Sequence, residues 1–195
     1  MHPELLLLIG ISFSMGFTPG PNNAVASYSA FNFGVRKTLP IILGVGFGYT
    51  VLVTLLIFVL ISVFQKYPFL QEIIRVLGSL FLIYLAYKIS FSKSRSRSKT
   101  ENPVKFYETF FFQFINPKGV MAAITLISKF VSQENYINSS ITVIVVCSVT
   151  AFLSITSWAL LGKFLRKFAT NNEFIKRFNY AMSILLVGCV ASFYI

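Results

Sequence analysis

The chain has 195 residues, of which 55% are apolar and only 12% charged, and its mean hydropathy is +0.74. Soluble domains carry about 25% charged residues, and a soluble fold of this length could not hide so much apolar surface from water. The 17 Lys and Arg outnumber six Glu and no Asp, for a formal charge of +11. These bases stand between apolar runs, so they read as membrane-flanking loops and exclude a nucleic-acid partner.

A hydrocarbon core about 30 Å thick takes roughly 20 apolar residues as a helix, and six segments approach that length. The first runs from Glu4 to Ala26. Its leader lacks Lys and Arg, which argues for a retained span over a cleaved signal peptide. The second, Thr38 to Val63, is free of charge, and the third, Phe69 to Lys88, has Glu72 and Arg75 near its start. The fourth, Lys105 to Ser128, is the least apolar, with Glu108, Gln113, Asn116 and Lys118. The fifth, Asn138 to Gly162, is again uncharged, and the sixth, Phe174 to Ile195, has Lys176 and Arg177 only at its start. Cys147 and Cys189 lie inside apolar runs and read as hydrophobes, without metal-ligand spacing or a structural disulfide. Trp158 and several tyrosines read as interface anchors or bundle packing.

Most of the bases fall in the loops after the first, third and fifth spans, including the run Ser92 to Lys99. Positive charge marks the cytoplasmic side, so both termini are expected outside. The expected fold is an all-α membrane protein of six transmembrane helices. Residues 1–90 and 105–195 form two three-helix repeats, joined by a basic cytoplasmic loop, 91–104. An odd number of spans per repeat turns the second upside down relative to the first, the arrangement of transporters whose sites lie on broken helices near the midplane.

Corresponding interruptions occur in both halves. The first helix holds Thr18-Pro19-Gly20-Pro21-Asn22-Asn23, and the fourth holds Asn116-Pro117-Lys118-Gly119. Proline removes the N–H that would bond the carbonyl four residues back, which frees the carbonyls of Met15, Phe17 and Gln113. Freed backbone is tolerated in a membrane only against protein or a wet cavity. Lys118 stands about halfway along the fourth span, where a lysine costs on the order of 3 kcal/mol by insertion scales. Two readings stay open for it: an ammonium awaiting a substrate carboxylate, or one that snorkels or bonds freed carbonyls. The candidate substrate site is Pro19, Gly20, Pro21, Asn22, Asn23, Gln113, Asn116, Pro117 and Lys118. The glycines 44, 46 and 48 of the second helix read as close packing, as do Gly78, Ser79 and Gly188.

These motifs resemble the LysE/RhtB family of amino-acid exporters over essentially the whole chain. The likeness rests on Phe17 to Asn23, Gly34 and Arg36, Leu43-Gly44 with Gly48, the stretch Phe110 to Lys118, and Trp158 with Gly162. It implies export of a small amino-acid-like substrate across a bacterial cytoplasmic membrane, driven by the proton gradient, without a cofactor or metal. Many relatives carry an aspartate where this chain has Tyr49. An aromatic residue there, with the pattern from Phe110 to Lys118, resembles the subgroup exporting cysteine and O-acetylserine. The expected partners are that substrate and membrane lipid, and a homo-oligomer is compatible with the sequence. A channel or inorganic-ion carrier is the alternative; such proteins usually show acidic rings or a carbonyl filter. A membrane-embedded enzyme is disfavoured by a single His, at position 2, and by the lack of a G-x-S-x-G motif.

Overall fold

Proline placement decides where the apolar runs become helices. A computed structural model describes residues 3–60, 66–67, 69–90, 104–169 and 172–194. In it Pro21 and Pro117 each open a new helix, at the position where a missing N–H has no intrahelical bond to lose. Among the described residues there are eight α-helices: α1 (Pro3–Phe17), α2 (Pro21–Phe33), α3 (Val35–Leu55), α4 (Phe69–Ser90), α5 (Phe106–Ile115), α6 (Pro117–Phe130), α7 (Tyr136–Arg166) and α8 (Asn172–Ala191). A π-helical turn, Leu56–Leu60, continues α3. Each half thus runs through a proline-broken pair and then two longer helices.

Four stretches are long and apolar enough to cross a bilayer: Val35–Val59, Glu72–Ser90, Tyr136–Arg166 and Asn172–Ala191. They match the second, third, fifth and sixth expected spans with ends shifted by a few residues. The α5–α6 pair makes a fifth crossing if counted as one bent unit, its arms meeting at 60°. The first expected span, Glu4 to Ala26, is instead two helices. With 15 residues, α1 is only about 22 Å long, short of a bilayer core. Beyond the break α2 continues to Phe33, past the expected end. The basic run from Ser92 to Lys99, the end of the second span at Val63 and the terminal Ile195 lie outside the described residues.

Burial follows the logic of a lipid solvent. On α7, Ile137, Ile141, Val145, Val149 and Leu153 recur every fourth residue, and each is more than half exposed. On α4, Phe69, Ile73, Val76, Leu80, Ile83 and Tyr87 form a similar open stripe. Contiguous apolar faces of this extent are rare on proteins facing water and natural against acyl chains. Conversely, the most polar of the short helices sits inside. Every residue of α2 from Ala24 to Phe31 is buried, against α3, α7 and α8.

That central placement depends on close approach and on paired polar groups. A Cβ at Gly162 of α7 would collide with the Ser27 backbone of α2. Thr38 Oγ1 donates to Ser29 Oγ at 3.0 Å, and Asn32 Nδ2 donates to Asn179 Oδ1 at 2.9 Å. Gly44 and Gly48 let α3 lie directly on α5, where a Cβ at Gly48 would stand 2.7 Å from the Phe110 carbonyl oxygen. Gly78 packs on the Ile115 carbonyl and Pro117, whereas Gly188 has open space around it and is not a packing site. Two ion pairs, Arg75–Glu72 at 3.1 Å and Arg177–Glu173 at 2.6 Å, lie near the starts of α4 and α8.

Candidate functional site

The last turn of any helix leaves carbonyls without intrahelical partners. In α1 the following prolines deepen the deficit, and side chains from three other helices remove it. Thr18 Oγ1 itself donates to the Met15 carbonyl at 2.8 Å. The Gly16 carbonyl accepts from Asn23 Nδ2 at 3.0 Å and from Ser154 Oγ at 2.7 Å. The Phe17 carbonyl accepts from Trp158 Nε1 at 3.3 Å. The Thr18 carbonyl accepts from Asn23 Nδ2 at 3.0 Å and from Lys118 Nζ at 3.1 Å. Pro19 completes the series, its carbonyl 2.9 Å from Lys118 Nζ.

Lys118 is thereby accounted for. Its ammonium has three donors, and three acceptors lie in range: the Thr18 and Pro19 carbonyls and Thr18 Oγ1, the last at 2.9 Å. It makes no ion pair among the described residues. Its charge sits at the negative end of α1, where the helix dipole favours a cation. Of the two readings open for this lysine, bonding of freed carbonyls is the one present here.

The second break mirrors this contact from the other side. Asn22 Nδ2 donates to Gln113 Oε1 at 2.9 Å, and Gln113 Nε2 returns a bond to Asn22 Oδ1 at 3.2 Å. Gln113 Nε2 also bonds the Thr109 carbonyl at 2.7 Å, and no part of this residue is exposed. Asn22 and Lys118 are each the second residue of the helix after a break. Each reaches the end of the helix before the other break. The two interruptions therefore interlock crosswise.

Between them lies a cavity of about 80 Å³. That is room for a few water-sized groups. Gly20, Pro21, Asn22, Asn23, Asn116 and Lys118 line it. Pro19, Gln113 and Pro117 do not: Pro19 and Gln113 stand one hydrogen bond behind the wall, on Lys118 and Asn22, and Pro117 is buried against Gly78. Both α2 and α6 begin beside the cavity, so the positive ends of two helix dipoles lie next to the same space.

A family model described as LysE type translocator matches residues 13–195. The chain belongs to the LysE family. It is 29% identical over 174 residues to a cysteine/O-acetylserine efflux protein of Salmonella choleraesuis (strain SC-B67), covering 88% of each chain. It is 26% identical over 173 residues to the cysteine/O-acetylserine efflux protein of Escherichia coli (strain K12), again covering 88% of each. No solved structure matches it. Membership makes this LysE-type protein a multi-pass membrane transporter and not an enzyme.

Sequence reasoning missed part of the cavity wall. Ser12 and Gly16 of α1, Tyr49 of α3, and Cys147, Thr150 and Ser154 of α7 also line it. The available signal was the recurrence of small polar residues at helical spacing on α7: Cys147, Thr150 and Ser154 share one face. Cys147 is buried, as expected for a hydrophobe, but its place is on the cavity. Glu108, the carboxylate nearest the core in sequence, is instead fixed at the start of α5, where its Oε2 accepts the Lys105 N–H at 2.6 Å.

Proposed function

We propose that this LysE-type protein exports small neutral amino acids or close derivatives, of the cysteine and O-acetylserine kind, by alternating access. The observation that carries this reading is the crosswise interlock of the two proline breaks around a cavity of about 80 Å³. Inverted-repeat transporters place their sites on such broken helices. In this reading α1 with α2, and α5 with α6, each make one crossing, for six in all. Residues 1–90 and 105–195 are then two oppositely oriented repeats, and the basic segment 91–104 holds their junction in the cytoplasm of a bacterial cell with both termini outside.

The nine residues Pro19, Gly20, Pro21, Asn22, Asn23, Gln113, Asn116, Pro117 and Lys118 form the substrate site or hold it in shape. The substrate binds as a zwitterion. Its carboxylate goes to the N–H groups at the start of α2 and to Lys118, which releases one of its two bonds to Thr18 in exchange. Rocking of one half against the other then carries the site from one face to the other, with inward proton movement as the driving force. Tyr49 stands where many relatives have an aspartate, so proton coupling here runs through other groups.

The test is efflux of labelled cysteine and O-acetylserine from vesicles holding wild type or Lys118→Ala. Wild type moves both, and the variant loses transport while its amount in the membrane is unchanged. Full transport by Lys118→Ala overturns the assignment. Movement of divalent ions in place of amino acids establishes the channel or ion-carrier alternative.

A further inference from the structure

Three polar side chains on the cavity wall are already committed to protein partners. The Asn22 carboxamide closes on Gln113. Asn23 holds the Gly16 and Thr18 carbonyls and accepts from Ser154. Lys118 holds Thr18 and Pro19. Asn116 differs. It is only 2% exposed, it lines the same cavity, and its Oδ1, itself covered, has no hydrogen-bond partner, so a ligand in the cavity meets that oxygen once the carboxamide turns toward it.

The position makes the missing bond conspicuous. Asn116 is the residue just before α6, where an asparagine ordinarily accepts a bond from the N–H two or three residues on. Here it makes no such bond. Its oxygen is not turned back onto its own helix, although that partner is close at hand. A buried amide oxygen without a partner opposes folding, and such atoms are rare enough in native proteins to call for an occupant. A carboxamide oxygen only accepts, so the occupant must present N–H or O–H. An ammonium satisfies it, and a carboxylate repels it.

We propose that Asn116 Oδ1 receives the α-ammonium of the transported amino acid, and is the atom by which this transporter distinguishes amino acids from carboxylic acids that lack the amine. This rests on the export reading above. The two ends of the substrate are sorted by sign. Lys118 and the start of α2 draw the carboxylate, and the unpaired oxygen two residues before Lys118 takes the positive end.

The experiment uses full-length protein in proteoliposomes, with cysteine as substrate and mercaptopropionate, which is cysteine without its amine, as the comparison. Wild type prefers cysteine. Loss of a hydrogen bond to a charged group is worth about tenfold to a hundredfold, so Asn116→Leu loses that factor for cysteine and accepts both compounds nearly equally. Asn116→Asp keeps an acceptor and adds attraction for the ammonium, so it rejects mercaptopropionate relative to cysteine more strongly than wild type does, whatever its rate for cysteine. If Asn116→Leu fails to reach the membrane, the Asn116→Asp comparison decides alone. Unchanged discrimination in Asn116→Leu, or discrimination in Asn116→Asp no stronger than in wild type, overturns the proposal and leaves the oxygen to a structural water. Failure of wild type to move cysteine or O-acetylserine sinks the export reading, a result distinct from either.

Discussion

The two proline breaks differ in how completely the polar side chains around them are paired. Between α1 and α2 the chain leaves the helix for three residues, and side chains from α2, α6 and α7 cover the carbonyls from Gly16 to Pro19. Between α5 and α6 a single residue, Asn116, makes a 60° bend and leaves its own side-chain oxygen bare. At one break the carbonyls are bonded by side chains; at the other a buried side-chain acceptor stays unpaired. Two similar sequence interruptions can therefore have opposite energetic characters, and the unfinished one is the better place to look for a ligand.

The strongest way to break that comparison is to reverse the expected signs. Asn23→Leu removes the donor shared by the Gly16 and Thr18 carbonyls, each of which keeps one other partner. It should cost about 1–3 kcal/mol, read as a lowered thermal unfolding midpoint in detergent. Asn116→Leu should cost less than about 0.5 kcal/mol or stabilise, because it removes an orphaned acceptor. Equal losses for the two variants would erase the distinction drawn here.

A finer measurement concerns the crosswise link itself. In a double-mutant cycle, Asn22→Ala and Gln113→Ala should be non-additive by about 1 kcal/mol, since each removes the same reciprocal pair. Additive effects would mean that the breaks touch without supporting each other. Smaller still is Trp158→Phe, which gives up one long bond to the Phe17 carbonyl. A neutral hydrogen bond is worth about 0.5–1.5 kcal/mol, so this variant should fall near the low end while leaving the cavity intact. At the far end of the scale, Ser140→Ala should be neutral or slightly stabilising, for Ser140 Oγ is buried without a partner and lies off the cavity wall.

Much of this architecture was legible in the chain because lipid enforces simple rules. Uninterrupted apolar runs such as Asn138 to Gly162 have to be helices, and α7 includes that run whole. The prolines announced both breaks for an equally local reason, the missing N–H. What stayed hidden depends on distance. Two of the three partners of Lys118 are main-chain atoms about one hundred residues earlier, and a carbonyl has no residue letter to reveal it. The length of α2 was hidden by its polarity. Ser27, Ser29 and Asn32 look like the start of a loop if lipid is the expected neighbour, but they suit a helix walled by protein, where Thr38 and Asn179 answer two of them. The wall residues of α7 left only a weak trace, the shared face of Cys147, Thr150 and Ser154, whose meaning depends on α1 lying opposite.

The seat of α2 has a consequence for how the protein is made. Its serines and asparagines are poor company for acyl chains, and the neighbour that shelters it most closely, α7, is synthesised more than a hundred residues later. While the ribosome is still working through that interval, the amino-terminal segment cannot have its final surroundings. Settlement of the early portion must wait for the late one. A gene cut within the basic linker should therefore yield a first fragment that is degraded when made alone and rescued when the second is supplied beside it.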